Sequence, residues 1–103
     1  MTKPQAESSI TRQENRAKRD GTFDLSIDRK RLGHLVYSLP DKATLTIDYV
    51  HVDPSLRGQG MGQKLVAAAV DWAREQKRQV TPRCSYARAV MARNKEYKDV
   101  LGP

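Results

Sequence analysis

The sequence predicts a small α+β (mixed α/β) domain with a mostly antiparallel sheet, and three observations carry that expectation. Three runs in the first half, residues 23–27, 32–39 and 44–52, alternate in polarity or are rich in β-branched and aromatic residues. From residue 60 to about 77 the apolar positions instead recur at three and four, the period of an amphipathic helix. The order is strands, helix, short strand, helix, which fits one pair of layers around one core. A chain of 103 residues has room for one such domain.

Residues 1–20 hold only Ile10 as a large apolar residue besides Met1, so a polar, partly flexible arm is expected there, with a short strand near Ile10. Asp20-Gly21 signals a turn into the domain proper, residues 21–103. Phe23, Leu25 and Ile27 alternate with Asp24, Ser26 and Asp28, the pattern of a half-buried strand. Asp28-Arg29-Lys30-Arg31 is a charged connection, and a second strand runs to Leu39 before Pro40-Asp41. The third strand, 44–52, is longer, and the short connections suggest an antiparallel meander. In the helix, Met61, Leu65, Ala69 and Trp72 form the apolar stripe, and Arg74, Lys77 and Arg78 suit its C-terminus. Residues 79–82 make a short strand at best. Residues 85–93 then form a short helix with Ser85 as N-cap and Asn94 at its end, followed by one further turn within 95–101.

Composition narrows the function classes. Hydrophobic residues are 38% and no apolar run approaches the ~20 residues of a membrane helix. No secretory signal pattern is seen, and the single cysteine, Cys84, rules out an internal disulfide framework and a cysteine-rich zinc site. A reducing, cytoplasmic setting is expected, with no metal and no membrane partner. The net charge of +7 is uneven: residues 1–20 carry +2, residues 21–56 carry −1 and residues 57–103 carry +6. The positive second half favours a polyanionic partner, either a phosphorylated cofactor or nucleic acid.

The segment Val52-Asp53-Pro54-Ser55-Leu56-Arg57-Gly58-Gln59-Gly60-Met61-Gly62-Gln63-Lys64-Leu65 joins a strand to a helix. Its three glycines lie where the first helical N–H groups lack internal acceptors, so backbone can approach an anion there. The helix dipole and the flanking Arg57 and Lys64 add positive potential. This is the composition of a pyrophosphate cradle. A P-loop is excluded because no Gly-Lys-Ser/Thr follows, and the G-x-G-x-x-G dinucleotide fingerprint does not fit Gly58-Gln59-Gly60-Met61-Gly62.

The spacing Arg57-x-x-Gly60-x-Gly62 resembles the acyl-CoA signature of the GCN5-related N-acetyltransferases, and the preceding Tyr49 to Pro54 looks like the strand leading into that loop. A second stretch, Pro82-Arg83-Cys84-Ser85-Tyr86-Ala87 followed by Asn94-Lys95-Glu96-Tyr97-Lys98-Asp99-Val100, is similar to a group of very short members of that superfamily. The resemblance covers roughly residues 22–101. It implies a reduced GCN5-type acyl-CoA N-acyltransferase fold that takes acetyl-CoA as cosubstrate. The backbone around Val50 and Val52 would pair with the pantetheine arm. Arg57, Gly58, Gln59, Gly60, Met61, Gly62, Gln63 and Lys64 would hold the pyrophosphate, and Arg88 and Asn94 are weaker candidates for the nucleotide or pantetheine. In one respect the chain departs from the group, which commonly has His-Thr after the aspartate matching Asp48. Here Tyr49-Val50 follow and the histidine is His51, on the same strand face as Tyr49.

Acyl transfer needs a neutral amine, a polarised thioester carbonyl and a route for protons. Cys84 lies just before a helix N-terminus, whose positive end faces it, and is either a nucleophile or a neighbour of the thioester. Tyr86 is a candidate proton donor to the leaving thiolate. His51 is a candidate base, because histidine titrates near neutrality. Three functions remain open on the sequence: an N-acetyltransferase acting on a small-molecule or peptide amine, an acyl-CoA-binding module without turnover, and a basic nucleic-acid-binding module. The last is weakened by six aromatic residues with no RNA-binding strand signature.

Overall fold

A computed structural model describes residues 8–102; the first seven residues of the expected polar arm lie outside that range. Five strands form one sheet in the order β1-β2-β3-β4-β5. They are β1 (Ser8–Asn15), β2 (Asp20–Ile27), β3 (Lys30–Asp41), β4 (Thr44–Val52) and β5 (Gln79–Pro82). The first four form an antiparallel meander, and β5 returns parallel to β4 through helix α1 (Met61–Glu75). A second helix, α2 (Ser85–Arg93), follows β5, and single 3₁₀ turns stand at Pro54–Leu56 and Lys95–Tyr97.

The turns explain the meander. Asp28 and Arg29 both have positive φ, 51° and 68°, the geometry of a two-residue turn whose twist matches the flanking strands. At the β3–β4 connection Asp41 Oδ1 accepts the Ala43 N–H at 2.8 Å. Phe23, Leu25, Leu35, Tyr37, Leu39, Leu45 and Ile47 turn inward and meet Leu65, Val66, Ala69, Val70 and Ala73 of α1 in one core. Ala87, Val90 and Met91 of α2 join the same cluster.

One irregularity in β4 sets the site. Val36 pairs with Tyr49 but the next residue, Tyr37, pairs with Ile47, so Asp48 is an inserted bulge residue. Before it Leu45 and Ile47 face the core; after it the parity slips, and Val50 and Val52 pack against the core instead. Tyr49 and His51 therefore turn to the face away from the core. Beyond the bulge β4 also loses its second neighbour. β5 pairs with it only from Thr44 to Ile47, ending at Pro82, which has no N–H to donate. A last bond from Arg83 N–H to the Ile47 carbonyl, 2.9 Å, closes the paired part.

The arm is more ordered than its composition suggests. Its residues 8–15 pair along the whole length of β2 as the edge strand β1. Two long-range contacts hold it. The Arg12 guanidinium lies over the Trp72 ring, 4.3 Å from its centre. The Tyr37 hydroxyl donates to Glu14 Oε1 at 2.8 Å and accepts from Arg12 at 3.0 Å. Gly21 is required beside this cluster, because a Cβ there would lie 2.6 Å from the Tyr37 hydroxyl. At the other end, Arg74 forks onto the Asp99 carboxylate at 2.8 and 3.1 Å, and the Val80 N–H meets the Val100 carbonyl at 2.6 Å, so the C-terminal segment is sewn to α1 and β5.

The Tyr37 cluster yields a test. Burial pushes the Tyr37 hydroxyl up to about 12 from its ordinary 10. Its stabilising effect is complete below pH 10 and is lost as pH rises toward 12, because the unfolded chain ionises first. Tyr37→Phe is expected to cost about 1 kcal/mol at pH 7. The gap to the parent, measured by urea unfolding, should close between pH 10 and 12. A gap that stays constant across that range contradicts the assignment.

Candidate functional site

The junction of β4 and α1 is built from local rules. Asp53 Oδ1 accepts the Ser55 N–H at 2.9 Å and starts the 3₁₀ turn, with Pro54 at its first position. The hydrogen bond holds the Asp53 carboxyl below its usual range. Gly58 and Gly60 then take positive φ of 80° and 73°. A Cβ at either would meet nothing within 4 Å, so these glycines serve the backbone path and border open space. The α1 N-cap is Gly60, which offers no side-chain bond, and no acidic residue occupies the first turn. The first bond of the helix runs from Lys64 N–H to the Gly60 carbonyl at 3.1 Å. The amides of Met61, Gly62 and Gln63 thus have no intrahelical acceptor.

These amides border a cavity of about 420 Å³ between β4, the loop and α2. It is lined by Val50, Val52, Asp53, Pro54, Leu56, Arg57, Gly58, Gly60, Met61, Gly62, Gln63 and Tyr86. Nine of these are residues singled out from the sequence. Asp53, Pro54 and Leu56 are additions, and their signal was the Asp-Pro pair that bends the chain between strand and loop. Gln59 and Lys64 belong to the same loop and first helical turn but do not line the cavity.

Tyr86 reaches the cavity from the first turn of α2. A Cβ on Gly62 would stand 2.5 Å from the Tyr86 hydroxyl oxygen, so Gly62 is required by Tyr86 as well as by the helix start. Burial raises the Tyr86 hydroxyl above its ordinary value, and the charge of Arg93 partly offsets this. Cys84, two residues earlier, is half-buried and packed against the core, outside the lining. The N-cap of α2 is Cys84 rather than the expected Ser85: its backbone is extended (φ −80°, ψ 147°) and its Sγ accepts the Ala87 N–H at 3.3 Å. The tie of Arg83 to β4 makes the chain turn one residue earlier than residue preference suggests.

The remaining candidates lie elsewhere. His51 is on the outer sheet face, its ring stacked with Tyr49 and 5.6 Å from that of His34. Burial and the neighbouring Arg31 lower His34. Arg88 is exposed on α2, and Asn94 ends that helix by donating to the Val90 carbonyl at 2.7 Å. Among the described residues no three His, Cys, Asp or Glu side chains are grouped to hold a metal ion. No helix there is long and apolar enough to cross a membrane.

Comparison with known proteins agrees with this geometry. No curated protein matched the chain. Among solved structures, a GCN5-like protein from Staphylococcus aureus, determined by NMR, is 29% identical, with a TM-score of 0.71 over 91% of this chain and 87% of the other. A GNAT-family N-acetyltransferase from Escherichia coli, in complex with CoA, is 16% identical and shares the fold, with a TM-score of 0.66 over 78% of this chain and 64% of the other. So does a GNAT-family acetyltransferase from Elizabethkingia anophelis with acetyl-CoA bound, 15% identical, with a TM-score of 0.62 over 74% and 52%. Residues 22–100 match the profile described as GCN5-related N-acetyl-transferase. The chain belongs to the GCN5-related N-acetyltransferase family.

Proposed function

We propose that the protein is an acetyl-CoA-dependent N-acetyltransferase acting on a small-molecule or peptide amine. The observation that carries this reading is the cavity whose border includes the uncapped amides of Met61, Gly62 and Gln63. A ligand entering there meets N–H donors without acceptors and glycine positions with open space before them, which suits a diphosphate. The CoA-bound neighbours support the same cavity as a CoA site.

When bound, acetyl-CoA supplies the activated acetyl thioester. The chain's own residues do the rest. The amides at the start of α1 bind the diphosphate, and Arg57 and Lys64, which form no ion pair among the described residues, add charge. Val50 and Val52 give the cavity an apolar wall, and the β4 backbone beyond Ile47 offers hydrogen-bonding groups that β5 does not use. Tyr86 keeps its proton above the ordinary tyrosine range and is the lining side chain suited to donate one at its hydroxyl. Cys84 stands two residues before it, with its sulfur already engaged at the Ala87 N–H. A second reading, an acyl-CoA-binding module without turnover, is favoured by one observation: His51 faces away from the core, so the lining contains no histidine base. Turnover against a panel of amines separates the two.

Gly60→Glu should abolish CoA binding measured by isothermal titration, because a side chain and a negative charge enter the open cradle. Circular dichroism checks that this variant folds, since the left-handed backbone at residue 60 is strained by about 1–2 kcal/mol for a non-glycine residue. Unchanged affinity in a folded variant rejects the assignment. For Cys84, iodoacetamide labelling should slow in saturating acetyl-CoA, and Cys84→Ala should lower turnover more than stability. Identical labelling rates with and without acetyl-CoA remove Cys84 from the site. Protection combined with full turnover of Cys84→Ala makes it a neighbour and not a nucleophile.

A further inference from the structure

The cation that extends the cavity's reach is Arg93, which the sequence motifs did not single out. At 100° per residue, Arg93 lies about 20° around α2 from Tyr86, whereas Arg88 lies about 160° away on the opposite flank. Tyr86 lines the cavity, so the flank that carries Arg93 is the one turned to the cavity side. The Arg93 side chain also folds back along the helix in that direction: its Nε donates to the Ala89 carbonyl at 3.2 Å, one turn toward the N-terminus. That bond uses one of its five N–H donors, and Arg93 forms no ion pair among the described residues. Its charge is felt at the Tyr86 hydroxyl, which places it within electrostatic range of the cavity mouth.

We propose that Arg93 forms a phosphomonoester subsite beside the cavity and selects cofactors that carry a terminal phosphate in addition to their diphosphate, the 3′-phosphate in the case of CoA. This rests on the reading of the cavity as a CoA site. The amides of Met61, Gly62 and Gln63 account for a diphosphate, and Arg57 stands in the lining with them. A third phosphate has no donor within that set. The free N–H groups of a guanidinium, held along the flank that leaves the cavity past Tyr86, match a dianionic terminal phosphate in charge and in fork geometry. The site is exposed, so the interaction is screened by salt.

Isothermal titration of the full chain with CoA and with 3′-dephospho-CoA tests this directly. The parent should bind CoA about tenfold more tightly than the dephospho form, the scale of a charge-assisted hydrogen bond. Arg93→Gln should lose that preference by weakening CoA alone, and Arg93→Lys should retain part of it. Lys42→Gln, which removes the same charge at the far end of β4, should keep the parent ratio. The preference should shrink in high salt. A parent that binds both forms equally, or an Arg93→Gln variant that keeps the parent ratio, overturns the subsite while leaving the CoA site intact. Failure of the parent to bind either form overturns the cavity assignment, and the subsite with it.

Discussion

Everything at the site depends on β4 having a strand neighbour on both sides for only half its length. From Thr44 to Ile47 it is flanked by β3 and β5; beyond that, β5 has ended at Pro82 and the Asp48 bulge has turned the strand. A buried strand edge with unused N–H and C=O groups is costly unless something satisfies them. Here the exposed half opens into the cavity, where an extended ligand with amide groups can take the place that a longer β5 would fill. The same divergence lets α1 begin beside β4 with its N-terminus aimed at the opening, so one interruption in strand pairing creates both a polar track and an anion-binding end.

Charge follows this geometry. The excess positive charge of residues 57–103 falls on the loop, the helices and the C-terminal turn, which surround the cavity and the flank beyond it. The outer sheet face is different in kind. It carries Tyr49 at 49% exposure, the His34–His51 pair and the Asp24–Arg31 ion pair at 2.8 Å, an aromatic and mixed-charge surface rather than a basic one. Two chemically distinct surfaces thus meet along the open half of β4.

Much of this was readable in the sequence, for physical reasons. The period of α1 and the glycine-rich junction are local signals, and the structure follows them to within two residues. The bulge also left a trace: Leu45 and Ile47 are odd and Val50 and Val52 are even, so the apolar alternation slips at Asp48. That slip explains why His51 stands off the cavity although its strand runs along it. What could not be read depends on partners distant in sequence. β1 has almost no apolar residue, and its order comes from Arg12 and Glu14 meeting Trp72 and Tyr37. Cys84 caps α2 in place of the better-suited Ser85 because Arg83 is tied to Ile47 on another strand.

The central claim, that CoA occupies the space between β4 and the start of α1, is tested most directly by titrating ¹⁵N-labelled protein with CoA and following backbone amide shifts. The account predicts the largest changes at residues 57–64, with further changes at Val50, Val52 and Tyr86. Saturation without change at those amides, or changes confined to the outer face around His34 and His51, would contradict it.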